Sequence, residues 1–111
     1  MTLYKILTRA QLDESRECLS WSAVDRRDGF VHLSDASQVR ETARRHFAGQ
    51  PDLVLIELDA ERLAPGTLRW EPSRGGALFP HVHGDVPLEA ILAVHDLVEG
   101  TSGFVLPVEI P

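Results

Sequence analysis

Residues 70–84, WEPSRGGALFPHVHG, gather a tryptophan, a glutamate, an arginine and two histidines into one short span. Imidazoles titrate near neutral pH, so His81 and His83 are candidate acids, bases or ligands. Glu71 is the nearby carboxylate. Arg74 has the donors to clamp a phosphate, and Gly75 and Gly76 let backbone N–H groups approach such a ligand. Trp70 offers a face on which a ring can stack, or a core side chain. A second stretch, DGFVHLS at 28–34, adds His32 and Ser34. Lys5 is a further cation; it shares a strand side with Leu3 and Leu7, so it either snorkels from an edge or enters the site.

Strand geometry constrains this set. Side chains alternate, so Phe30, His32 and Ser34 face one way, and Phe79, His81 and His83 share a face. Trp70 and Glu71 must point to opposite faces, and one of them is structural. Three chemical readings follow. In the first, the histidines are partly buried and hydrogen-bonded to backbone. In the second, His81-x-His83 holds a metal, with His32 and Glu71 completing a zinc or iron set; the H-x-H spacing fixes no third or fourth ligand. In the third, preferred here, the site is metal-free and takes a nucleotide-like ligand. Ser34 has no nucleophile-elbow context and Cys18 no base nearby in sequence, so nucleophilic catalysis is not supported. Walker and GxGxxG patterns are absent.

The elements that must position these groups are short. Residues 3–7 read as a buried strand. Thr8 and Gln11 form a capping-box pattern before a helix over 9–19. Residues 21–27, including the DRRD run, read as a solvated loop. Strand 29–34 follows. Asp35 and Gln38 then open a helix to about residue 48, with Val39, Ala43 and Phe47 buried, a Glu41–Arg45 pair exposed and His46 a charge at its C-terminal end. Strands are expected at 53–59, 68–71, 79–83, from 91, and over 103–108. Val54, Ile56 and Leu58 form the apolar face of the first of these, and its other face is more polar. Pro72 and Pro80 argue for edges or bends. The order predicts an α+β fold with a small mixed or antiparallel split β-sheet core and two helices in the N-terminal half.

The 111 residues read as a single domain, 1–111, with ordinary hydrophobic (43%) and charged (25%) fractions for a folded chain. The formal net charge of −6 argues against nucleic acid as a partner. One cysteine excludes an internal disulfide and, with no signal-peptide pattern and no run long enough to span a membrane, leads to an expected cytoplasmic location.

The two motifs, with YKIL at the start and LRWEPSRGG before FPHVHG, resemble domain of unknown function family 952 over nearly the whole chain. Two positions depart from the family's pattern: His83 stands where a tyrosine is usual, and the first helix lacks a tryptophan near Leu12. That family is similar in fold to the ADP-ribosyltransferase superfamily, which implies a split pair of sheets with an NAD-shaped cleft. The resemblance places Lys5 at the first-strand position, His32 or Ser34 at the second, and Glu71 or His81 at the later one. None reproduces the usual transferase triad.

The expected function is therefore a nucleotide cleft for NAD or an ADP-ribose-like ligand, with NAD as substrate and no metal. If the protein is an enzyme, the reaction is ADP-ribosyl transfer or glycosidic cleavage. His32, Glu71 and His81 would be catalytic, with Glu71 stabilising charge at the anomeric carbon; Lys5, Ser34, Trp70, Arg74 and His83 would bind. A metal protein centred on His81 and His83, and a non-catalytic ligand-sensing domain, are the alternatives. Oligomeric state is not legible.

Overall fold

The strand Leu53–Asp59 has a nearly unbroken apolar run, LVLIELD, and is buried on both faces. The computed structural model containing it describes residues 1–111, with the side chain of Arg74 outside the description. Val54, Ile56 and Leu58 enter one hydrophobic cluster. Leu53 and Leu55 enter a second. The more polar face expected from Glu57 and Asp59 is thus polar only toward one end, because a helix covers the rest.

In chain order the elements are β1 (Thr2–Thr8), α1 (Arg9–Glu14), α2 (Ala23–Asp28), β2 (Val31–His32), α3 (Val39–Phe47), β3 (Leu53–Asp59), β4 (Leu68–Pro72), β5 (Leu78–Val82), β6 (Ile91–Gly100) and β7 (Gly103–Val105). Short 3-10 turns lie at Ala60–Arg62, Arg74–Gly76 and Leu88–Ala90. The strands form two antiparallel sheets, β1-β3-β6-β7 and β2-β5-β4. Among the named ladders none joins the two sheets; Tyr4 and Ser34 bridge them through reciprocal backbone hydrogen bonds of 2.8 and 3.0 Å. This is the expected α+β architecture with antiparallel pairing.

Val31, Leu33 and Val82 of the small sheet and its flanks pack on Leu3, Val54 and Ile56 of the large one. The opposite face of the large sheet, carrying Tyr4, Ile6 and Leu55, is covered by Val39 and Ala43 of α3 and by Ile110. The capping box at Thr8 and Gln11 forms as predicted, and Glu41 accepts from Arg45 at 2.8 Å.

Three expectations are corrected. The helix after Thr8 stops at Glu14: Ser15 turns to extended backbone, and its hydroxyl donates to the Gln11 carbonyl at 3.0 Å and accepts from Ser20 N at 2.9 Å. Residues 21–27 are not a loop: α2 starts behind Ser22, whose side chain forms a capping box with Asp25, so three helices, not two, precede β3. Pro80 is not at an edge, because β5 is the middle strand of its sheet. It is tolerated because the β2 ladder ends at His32↔His81; beyond it Pro80 contributes only its carbonyl, which accepts from Leu33 N at 3.0 Å.

Candidate functional site

Local sequence builds the first half of the site on α2. Ser22 caps the helix, and Gly29 ends it in the left-handed region, with φ of 84°. That turn sends the chain back over α2 and places His32 seven residues on against Asp25. Asp25 is fully buried. Its Oδ1 accepts from His32 N at 3.0 Å and contacts His32 Nδ1 at 2.7 Å, and its Oδ2 accepts from Ser22 N at 3.1 Å. Lys5 Nζ donates to both carboxylate oxygens, at 3.1 and 2.8 Å, and to the His32 carbonyl at 2.9 Å. The far nitrogen of His32, Nε2, lies 3.0 Å from Asp28 Oδ2.

The second half comes from the β4–β5 register. Glu71 pairs with Phe79 and Arg69 with His81, which puts Glu71 on the diagonal from His81 on one face. Glu71 Oε1 contacts His81 Nδ1 at 2.8 Å and His83 Nε2 at 2.7 Å. Trp70 pairs with Pro80 and points to the other face. Phe30 joins the halves: its ring centroid lies 4.5 Å from that of His32, 4.2 Å from His81 and 5.0 Å from His83.

A cleft of about 530 Å³ opens beside the Tyr4–Ser34 bridge. Its walls include Lys5, Asp25, His32, Ser34, Thr42 and His81. Of the predicted site residues, Lys5, His32, Ser34 and His81 therefore reach one cavity. Glu71 and His83 do not line it; they stand behind His81. Trp70 is absent from the wall, as the strand-face argument requires once Glu71 is on the site face. The predicted contact of Arg74 falls on a side chain outside the described residues. Lys5 needs a correction: an ammonium has three protons, and all three are directed at protein acceptors, so none is left for a phosphate or ribose. The hydroxyl of Ser34 is 3.1 Å from that of Thr42. Glu71 acts through His81 instead of facing the cavity.

Sequence reading missed Asp25. The Ser22-x-x-Asp25 pattern is a helix-start signal that the loop reading of 21–27 passed over, but nothing local marks a buried carboxylate; that depends on Lys5, twenty residues away. His46, read as a helix-end charge, also lies on the cleft wall.

Electrostatics follow from burial and pairing. Burial would raise the Asp25 carboxyl, but the hydrogen bond from His32 and the Lys5 charge outweigh it and hold it well below the usual carboxylate range. Burial pushes Lys5 down, with Asp25 opposing. Hydrogen bonds from His83 and then His81 hold Glu71 below its ordinary value. The folded protein thus binds protons at Asp25 and Glu71 less readily than the unfolded chain. Their stabilisation is complete above about pH 5, where the unfolded carboxylates are ionised, and is lost as the pH falls. The urea midpoint is expected to drop between about pH 6 and about pH 3; an unchanged midpoint contradicts the buried pairing.

The comparisons agree with this architecture. Residues 6–94 match the family described as Protein of unknown function (DUF952). The chain belongs to that family. The DUF952 chain is also similar to the X-ray crystal structure of protein CC0527 from Caulobacter crescentus, at 42% identity and a TM-score of 0.86, covering 94% of this chain and 92% of that one. The solution NMR structure of CC0527 gives 42% identity and a TM-score of 0.79, with 93% and 90% covered. No curated protein matches the chain. Among the described residues no helix is long and apolar enough to cross a membrane.

Proposed function

We propose that the cleft binds NAD or an ADP-ribose-like nucleotide, in the manner of the ADP-ribosyltransferase fold, and that His81 acts on the sugar. One observation carries this reading. His81 is 4% exposed, its Nδ1 is tied to Glu71, and among the described residues its Nε2 has no hydrogen-bond partner on the cleft wall. When Nδ1–H donates to Glu71, Nε2 carries the lone pair and can accept a ribose hydroxyl proton or hydrogen bond. The volume suits a ligand of this size, and the division into two sheets joined at one bridge supports the NAD-cleft reading.

In this scheme His32, with both ring nitrogens held by Asp25 and Asp28, shapes the cleft wall and is not itself a polar sugar contact. Both of its nitrogens donate only in the imidazolium form, which would place positive charge beside the ligand. Phosphate falls to Arg74, whose turn directly follows the cleft residue Ser73. Glu71 orients His81, and its effect on the anomeric carbon is indirect.

Calorimetric titration with NAD and with ADP-ribose tests the proposal. Binding is expected in the wild type and at least about tenfold weaker binding in His81→Gln, the loss of one well-made hydrogen bond to a charged or polar partner. Absence of heat at millimolar ligand with folded protein, or equal binding by His81→Gln, would sink it.

A further inference from the structure

We propose that Glu57, His95 and Glu109 form a binding site for a divalent ion of the zinc type. None of the three lines the cleft. β3 and β6 pair Leu55 with His95 and Glu57 with Ala93, so Glu57 and His95 sit diagonally on one sheet face. His95 Nε2 contacts Glu57 Oε2 directly.

Glu109 arrives from the far end of the chain and is held there. Its neighbour Ile110 is 3% exposed in the cluster with Leu53 and Leu55. Arg40 of α3 clasps the same segment, with Nε donating to the Pro111 carbonyl at 3.0 Å. One ligand atom from each of the three side chains lies within 4.8 Å of the others, the one such cluster of three among the described residues. The convergence of Glu71 with His81 and His83 does not meet that spacing.

Charge and donor type decide the ion. Among the described residues neither Glu57 nor Glu109 has a lysine or arginine partner, and the Glu57 side chain is only 14% exposed. The partly buried Glu57 and the exposed Glu109 converge on one imidazole with no lysine or arginine between them among the described residues, and a divalent ion cancels both charges. An imidazole nitrogen beside two carboxylate oxygens suits zinc and disfavours magnesium and calcium. Three protein ligands leave a fourth position for water. Such an ion would tie the C-terminal segment to β3 and β6, and because it binds the folded state it would stabilise it.

The test uses the full untagged chain after chelator treatment. Zinc chloride is expected to bind 1:1 by elemental analysis and to raise Tm by about 5 °C, while magnesium and calcium chloride do not. Glu109→Gln, an exposed and fold-neutral change, and His95→Gln should abolish the shift; His83→Gln should keep it. No shift with zinc, or a shift that persists in Glu109→Gln, overturns the proposal.

Discussion

Asp25→Ala is expected to lower the unfolding free energy by about 3–5 kcal/mol, measured by urea unfolding near neutral pH. The total stability of a domain this size is about 5–15 kcal/mol, so the variant would be close to its limit. Three losses coincide. Lys5, 5% exposed, loses both carboxylate contacts and is left as a buried charge. The N–H groups of Ser22 and His32 lose their acceptors. His32 Nδ1 loses its partner Asp25 Oδ1, 2.7 Å away. Lys5 can shed its proton to limit the cost, and its burial already favours that. Lys5→Met should be milder, because Asp25 keeps its contacts with His32 and Ser22. Combining Lys5→Met with Asp25→Leu should recover much of the loss, since a buried pair replaced by apolar groups is often neutral. A loss below about 1 kcal/mol for Asp25→Ala would show that the pair is not a buried one.

Leu55→Ala is expected to cost about 2–5 kcal/mol. Leu55 is fully buried at the centre of β3 and packs with Tyr4, Ile6, Val39 and Ala43. Tyr4 and Ile6 also line the cleft, so the cavity opens directly behind one of its walls. The strand is fixed on both sides by β1 and β6 and cannot collapse into the space. Val98→Ala is the control: Val98 is 60% exposed on β6, and its truncation should stay within about 0.5 kcal/mol. Equal midpoints for the two variants would contradict the burial of β3.

Much of the scaffold was legible because local signals were strong. The β3 segment fell at residues 53–59 as read, since LVLIELD is bounded by turn residues on both sides. The Thr8–Gln11 capping box and the strand beginning at Ile91 also follow from nearby residues alone. The alternation rule correctly separated Trp70 from Glu71, although only the register with β5 showed that Glu71 is the one on the histidine face. The α2 helix was hidden by its composition. DRRD looks like a solvated turn, and Arg26 and Arg27 are indeed exposed; the third residue of the capping box nonetheless turns inward.

By itself the sequence determined the α+β order, the main strands, the family, and which two motifs carry the histidines. Those properties depend on periodicity, caps and turns within a few residues. Tertiary structure alone decided that Lys5 is spent on Asp25, that Glu71 stands behind His81, and that Glu57, His95 and Glu109 converge from three distant segments. Each depends on which side chains meet across strands and sheets. Desolvation makes such meetings consequential, and no local pattern encodes them. Of the stretch from Trp70 to His83, Ser73, Phe79 and His81 accordingly form one wall of the site, completed by α2 and β2.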